Sequence, residues 1–145
     1  MTEFKNTAVL GAGVIGASWT ALFLASGRDV AVHDISPNTE KRVRDYVDRA
    51  WPTLEQIGLV KGGSPDRVRF CKSAVEAVEG ASFVQENVPE RLAIKHALYG
   101  EIEKHLAADA VIATSASGLT LSEMQGGWRD PSRFVLGHTP SIHRT

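Results

Sequence analysis

Short apolar runs alternate with longer amphipathic segments along this chain. Residues 7–10 are β-branched and apolar, which is typical of a buried strand. The segment 14–26 that follows is long enough for a helix, and Gly27 is a natural stop. The same criteria predict further strands at 29–33, 67–70, 82–85, 111–113 and 134–137, and helices at 36–58, 74–78 and 90–106.

This alternation predicts an α/β fold of the Rossmann type. The sheet is expected to be doubly wound and mainly parallel, with helices covering both faces. In the helix 36–58, Ser36 is expected to cap the N-terminus, Pro37 to occupy the first turn and Pro52 to bend the helix. The 145 residues suit one domain with a hydrophobic core.

Composition removes several classes of function. The formal net charge is −1 with no basic stripe, so no nucleic-acid partner is expected. No apolar run approaches the roughly 20 residues of a membrane span, so no membrane partner is expected. The histidines have no metal-ligand spacing, so no metal site is predicted. The single cysteine, Cys71, favours a reducing cytoplasm.

A glycine-rich loop joins the first strand to the first helix. Gly11, Gly13 and Gly16 fit the pattern G-x-G-x-x-G in the strand–turn–helix context that a dinucleotide site requires. Gly11 permits the turn, Gly13 lets the backbone approach a pyrophosphate, and Gly16 allows close packing. Amides at the helix start, including those of Val14 and Ile15, would bind the phosphates. A packing turn without a ligand, or an FAD site, would give a similar pattern.

Asp34 ends the second predicted strand, 18 residues after Gly16. A carboxylate there accepts hydrogen bonds from the adenosine ribose hydroxyls and repels a 2′-phosphate, which favours NAD over NADP. The alternative is that Asp34 only caps the turn that follows it.

Three further motifs follow in order: "FVQENVPERLAIKHALYGEIE", "SASGL" and "RFVLGH". Together with the glycine loop, they resemble the NAD-binding half of the 3-hydroxyacyl-CoA dehydrogenase superfamily. Within it, the stretches "AWPTLEQIGL", "ENVPERLAIK" and "SASGL" are most similar to the L-carnitine dehydrogenase branch, followed by the lambda-crystallin/L-gulonate dehydrogenase branch. The resemblance implies NAD-dependent oxidation of a 3-hydroxy group to a ketone. A 3-hydroxyacyl-CoA (3-hydroxybutyryl-CoA) dehydrogenase, or a non-catalytic NAD-binding or structural fragment, is the alternative.

The resemblance also implies roles for individual residues. Glu90 and Lys95 match family positions that contact the cofactor on its nicotinamide side. Ser117 matches the serine that hydrogen-bonds the substrate oxygen, and His138 matches the catalytic histidine, which removes the hydroxyl proton. From the residues alone, Glu90 and Lys95 are a charge pair on a solvated helix, Ser117 is a loop cap and His138 is a strand-end histidine.

The resemblance ends after His138, which divides the chain into an NAD-binding domain at 1–138 and an atypical tail at 139–145. Family members continue with a helical domain that completes the substrate pocket and forms a homodimer. We expect this chain to lack that domain. The 145-residue chain alone is therefore expected to be inactive or weakly active, with a small 3-hydroxy acid or acyl-CoA as the substrate of the parent enzyme.

Overall fold

A six-stranded sheet forms the centre of the protein. The computed structural model describes residues 5–58 and 62–137, and every strand pairing within them is parallel. The Rossmann-type prediction is confirmed. The strands are β1 (Asn6–Leu10), β2 (Asp29–His33), β3 (Val68–Phe70), β4 (Phe83–Glu86), β5 (Val111–Thr114) and β6 (Phe134–Leu136).

Helices connect the strands and cover both faces of the sheet. Single 3₁₀ turns lie at Glu103–His105 and at Pro131–Arg133. Within the described residues, none of the helices is both long enough and apolar enough to cross a bilayer. The α-helices are α1 (Val14–Ala25), α2 (Thr39–Gln56), α3 (Ala74–Val78), α4 (Leu92–Ile102) and α5 (Leu121–Gln125).

The strand order β3-β2-β1-β4-β5-β6 places a topological switch point between β1 and β4. Leu10, the last residue of β1, pairs with His33 on one side and with Glu86 on the other. The connections after β1 and β4 leave in opposite directions along the sheet, which opens a crevice at the carboxyl ends of these strands. In open α/β sheets this crevice is where ligands bind.

Two hydrophobic clusters, one on each face, hold the sheet between its helices. Val9 of β1 packs with α1 and α2, whereas Ala8 and Leu10 pack with α3 and α4 on the opposite face. Successive side chains of a strand point to opposite faces, and helices cover both, so the central residues of β1 and β2 are buried on both faces and mostly apolar. This explains why the predicted strands have apolar centres rather than alternating polar and apolar positions.

The helix predicted at 36–58 begins later than expected. Ser36 is not its cap, because α2 starts at Thr39 after Asn38. The Ser36 amide instead donates to the Asp34 carboxylate at 3.0 Å, and the Ser36 carbonyl accepts the Thr39 hydroxyl at 2.8 Å. Ser36 and Pro37 therefore belong to the turn after β2.

The helix predicted at 90–106 is shorter at both ends. α4 begins at Leu92, so Glu90 lies in the loop before it. A further helix, α5, was not predicted, although its sequence carries a signal. Thr120 and Glu123 form a capping box, in which each side chain bonds the other residue's backbone amide.

Candidate functional site

The glycine loop turns sharply at Gly11. Its φ angle of +86° lies in the left-handed region that favours glycine. A Cβ atom there would also lie 2.7 Å from the carbonyl carbon of Asn87, in the loop after β4. The Gly11 amide donates to the His33 carbonyl at 2.9 Å, which fixes the loop to the end of β2. A side chain at the position of Gly11 would therefore push the loops after β1 and β4 apart.

Gly13 and Gly16 differ in what surrounds them. A Cβ on Gly16 would collide with the Gly11 carbonyl oxygen, whereas a Cβ on Gly13 would meet nothing within 4 Å. Gly16 is thus required for packing. Gly13 is not, and it leaves open space beside the first turn of α1. The first backbone amides of a helix lack partners within it, so the amides near Val14 and Ile15 are available to an anion.

The Asp34 carboxylate lies beside this loop and braces it. One oxygen accepts the Ala12 amide at 2.6 Å and the other accepts the Ser36 amide at 3.0 Å. The turn-capping role considered for Asp34 is therefore present in the structure. Its side chain remains 18% exposed, with the Arg42 guanidinium 4.0 Å away. The predicted contact between Asp34 and the ribose stays a prediction.

A cavity of about 330 Å³ lies between the end of β2 and α4. Val88, Ile94 and Leu98 line it from the β4 side, and Asp34 and Ile35 line it from the β2 side. Ile35 is 94% exposed, which is unusual for a large apolar side chain. The sequence analysis missed this wall. The available signal was an isoleucine inside a polar turn, directly after the candidate ribose ligand.

Glu90 and Ser117 meet in the second half of the crevice, beyond the carboxyl ends of β4 and β5. The Glu90 carboxylate accepts the backbone amide of Ser117, the Gly118 amide at 3.0 Å and the Ser117 hydroxyl at 3.2 Å. These donors, the two backbone amides first, lower the pKa of Glu90 below its ordinary value. Glu90 therefore links the loop after β4 to the loop after β5.

Lys95 is not on a solvated face, which corrects the interpretation from the residues alone. Its side chain is fully buried, and its ammonium group lies 2.5 Å from the Glu86 carboxylate and donates to the Val88 carbonyl at 3.0 Å. Glu86 is also fully buried and was missed by the sequence analysis. Its signal was an acidic residue at the carboxyl end of an apolar strand. The predicted contact between Lys95 and the cofactor stays a prediction.

His138 lies outside the described residues. The strand that leads to it is in the expected place, because β6 pairs with β5 and Leu136 is opposite Thr114. The Gly137 amide continues this ladder by donating to the Thr114 carbonyl at 2.8 Å. The ends of β5 and β6, which precede Ser117 and His138, are therefore neighbours.

The sequence profile of one family matches nearly the whole chain. It is described as "3-hydroxyacyl-CoA dehydrogenase, NAD binding domain" and aligns with residues 6–141. The chain belongs to this family. Its cofactor is NAD, as the glycine loop and Asp34 predict.

Curated relatives of the chain include L-carnitine dehydrogenases of several bacteria. The chain is 44% identical over 138 residues to L-carnitine dehydrogenase of Pseudomonas putida and 46% identical over 134 residues to L-carnitine dehydrogenase of Nocardiopsis dassonvillei. These alignments cover 95% and 92% of this chain. They cover 43% and 41% of the relatives, so the chain spans about two fifths of their length.

A solved structure supports the same family fold. The chain superimposes with a TM-score of 0.85 and 30% identity on 5-formyl-3-hydroxy-2-methylpyridine 4-carboxylic acid 5-dehydrogenase, an NAD+-dependent dismutase. The match covers 96% of this chain and 45% of that one.

The residues of the NAD-binding domain fit the cofactor. The space beside Gly13 admits a diphosphate next to the first amides of α1. The partly exposed Asp34 carboxylate at the end of β2 suits an unphosphorylated ribose, whose hydroxyls donate to a carboxylate. The apolar cavity beside Ile35 suits a flat base.

Proposed function

We propose that this chain is the NAD-binding domain of a dehydrogenase that oxidises the 3-hydroxy group of a small acid, such as carnitine, to a ketone. Residues 1–138 constitute the domain. The observation that carries the proposal is the open space at Gly13 beside the Asp34 carboxylate, at the switch point of the sheet. The names of the curated relatives support the choice of substrate.

In this proposal the cofactor lies across the crevice. Amides at Gly13, Val14 and Ile15 bind the diphosphate, and Asp34 accepts hydrogen bonds from the adenosine ribose. The adenine lies in the cavity beside Ile35. The nicotinamide half then falls at the ends of β4 and β5, because each half of a doubly wound sheet binds one mononucleotide.

The proposed chemistry depends on residues at the second half of the crevice. When bound, the nicotinamide ring accepts the hydride from the substrate carbon. The Ser117 hydroxyl orients the substrate oxygen, and the His138 imidazole removes its proton. Glu90 contributes by fixing Ser117, since its carboxylate accepts both the Ser117 amide and the Ser117 hydroxyl. We assign both Glu90 and Lys95 to the nicotinamide side of the site. Lys95 would act there from its buried position beside Glu86.

The complete enzyme requires more than these residues. The curated relatives are more than twice as long as the matched region, which supports a substrate pocket and a homodimer interface formed by a further domain. We assign the protein to the cytoplasm, and its single cysteine supports a reducing compartment.

Calorimetric titration of the 145-residue chain with NAD and NADP tests the cofactor site. We expect NAD to bind more tightly than NADP. Equal affinity would overturn the role of Asp34, and an absence of binding to both would overturn the proposed site. A flavin absorption band in the purified protein would identify a flavoprotein instead.

Steady-state assays test the reaction. We expect the 145-residue chain to reduce NAD only very slowly with L-carnitine or 3-hydroxybutyryl-CoA. A version extended by the second domain of a curated relative should oxidise L-carnitine in preference to the CoA ester. A preference for the CoA ester would replace the proposed substrate class, and no turnover of either would favour a non-catalytic NAD-binding protein.

A further inference from the structure

We propose that a ring of hydrogen bonds through the buried Glu86 side chain positions the loops 87–91 and 115–118. Glu86 is thereby a positioning residue for Glu90 and Ser117. The inference rests on the proposed function in one respect, namely that these loops receive the nicotinamide half of NAD.

Four donors surround the Glu86 carboxylate. One oxygen accepts the Lys95 ammonium group at 2.5 Å and the Val88 amide at 2.9 Å. The other accepts the Thr114 hydroxyl at 2.9 Å and the Tyr99 hydroxyl. An ionised carboxylate offers about four acceptor positions, so its capacity is filled. One side chain therefore joins α4, the end of β5 and the loop after β4.

The first half of the ring fixes the loop 87–91. The Val88 amide donates to Glu86, and the Val88 carbonyl accepts the Lys95 ammonium group at 3.0 Å. Both polar groups of one backbone residue are thus held by the two members of one ion pair. Glu90 follows two residues later, so the pair determines where the Glu90 side chain starts.

The second half of the ring fixes the loop 115–118. The Thr114 hydroxyl donates to Glu86 and accepts the Ala116 amide at 3.3 Å. Ser117 follows directly, and its amide and hydroxyl donate to Glu90. The two loops are therefore joined at their bases through Glu86 and at their tips through Glu90.

Stability alone does not account for the buried pair. Removing two charges from water costs several kcal/mol for each ion, and well-packed apolar residues of similar size are often as good or better. Glu86 and Lys95 are both fully buried. What the ion pair supplies, and an apolar pair would not, is directional bonding to Val88 and Thr114 at the roots of the two loops.

Asn87, which follows Glu86 directly, contacts the glycine loop. The Asn87 amide donates to the Leu10 carbonyl at 2.7 Å, and the Asn87 side chain donates to the Gly11 carbonyl at 3.3 Å. The loop after β4 is thus fixed on one side to the diphosphate site and on the other to Ser117. A displacement of this loop would change the distance between the sites proposed for the two halves of the cofactor.

Two substitutions separate positioning from general stability. Thr114 and Tyr99 donate to the same oxygen of Glu86. Only Thr114 belongs to the ring, because its hydroxyl also accepts the Ala116 amide and so connects Glu86 to the loop 115–118. Thr114→Val breaks the ring without removing a charge, and Tyr99→Phe is the matched control. We expect Thr114→Val to reduce hydrogen-exchange protection of the Ser117 and Gly118 amides about tenfold, while Tyr99→Phe changes it less than about twofold.

The pH titration of the same amides provides a second readout. Amide shifts of Ser117 and Gly118 report ionisation of Glu90, whose pKa the two amides hold below its ordinary value. Thr114→Val should raise that midpoint, and Tyr99→Phe should not. The Glu123 midpoint, lowered independently by Thr120, should stay constant in both variants.

Ligand affinity connects the ring to the cofactor. We expect Thr114→Val to weaken NAD binding about tenfold and AMP binding less than about twofold, because AMP does not reach the ring. Unchanged Ser117 protection in Thr114→Val, or equal effects of the two substitutions, would overturn the inference. If the wild-type chain bound neither NAD nor AMP, the proposed function would fail, while the exchange measurement would still decide whether the ring exists.

Discussion

The Asp34 carboxylate accepts the amide hydrogen of Ala12 at 2.6 Å. This bond ties the end of β2 to the glycine loop. In the proposed binding of NAD, the Asp34 charge would repel a ribose 2′-phosphate. Asp34→Asn keeps an oxygen for the Ala12 amide but removes the charge. We expect the ratio of NAD to NADP affinity, measured by calorimetry, to fall about tenfold or more.

A matched control for Asp34 is available before β6, at the amino end of that strand. Asp130→Asn also removes one carboxylate, but Asp130 is exposed and caps the 3₁₀ turn Pro131–Arg133 by accepting the Ser132 amide at 3.1 Å. It should leave the cofactor preference unchanged. If Asp34→Asn retained the wild-type preference, cofactor selection would reside elsewhere in the site.

Gly13 and Gly16 should separate binding from folding. A Cβ on Gly13 meets no atom within 4 Å, so Gly13→Ala should cost only about 1 kcal/mol of unfolding free energy, as for other changes at a helix N-cap. It should nevertheless weaken NAD binding at least about tenfold, because a methyl group would enter the space proposed for the diphosphate. Titration calorimetry and urea denaturation measure the two effects.

Gly16→Ala should lower the unfolding free energy more than Gly13→Ala does. Its Cβ would collide with the Gly11 carbonyl, which belongs to the backbone and does not move without distorting the loop. The expected loss of unfolding free energy is about 2–4 kcal/mol. Similar stability losses in the Gly13 and Gly16 variants would contradict the different surroundings of these residues.

Glu90 should make the unfolding free energy depend on pH. Its pKa is lowered from 4.5 in the folded chain, so the ionised carboxylate stabilises the folded state above the ordinary carboxyl pKa. That contribution is lost as the pH falls through the lowered pKa. The stability difference between wild type and Glu90→Gln should therefore be constant above about pH 5 and shrink towards pH 3. A difference independent of pH, in urea denaturation, would show that the carboxylate charge is not involved.

The Glu86–Lys95 pair should respond differently to single and double substitution. Glu86→Gln leaves the fully buried Lys95 ammonium group without its counterion, which should cost about 3–5 kcal/mol of unfolding free energy. Glu86→Gln with Lys95→Met removes both charges and should recover most of that loss. Urea denaturation at neutral pH measures both. If the double variant were no more stable than the single one, the pairing would not be the source of the cost.

Much of the sheet and the glycine loop could be predicted because their signals are local. An apolar run such as that of β1 marks a strand covered on both faces, and glycine spacing marks a tight strand–helix turn. The start of α2 was missed because Asp34 competes for the Ser36 amide. A side chain that bonds the backbone outside a helix displaces the helix start in this way.

The network in the second half of the crevice could not be predicted from the residues alone. A lysine in a helical segment is normally solvated, whereas Lys95 is buried against Glu86 at the end of β4 and against the Val88 carbonyl. Glu90 and Ser117 are 27 positions apart, so their bond depends on the neighbouring positions of two strand ends. The family resemblance indicated which residues matter there but not which groups they contact.

The strand order also has a consequence for synthesis of the chain. β1 leaves the ribosome before the other five strands described here, yet it occupies the middle of the sheet. One of its edges is covered once β2 emerges, but the other waits for Phe83–Glu86. At about 5–20 residues per second, that edge stays unpaired for several seconds. Nascent copies on one messenger would therefore be exposed to strand exchange with each other, and slower translation between β2 and β4 would lengthen that period.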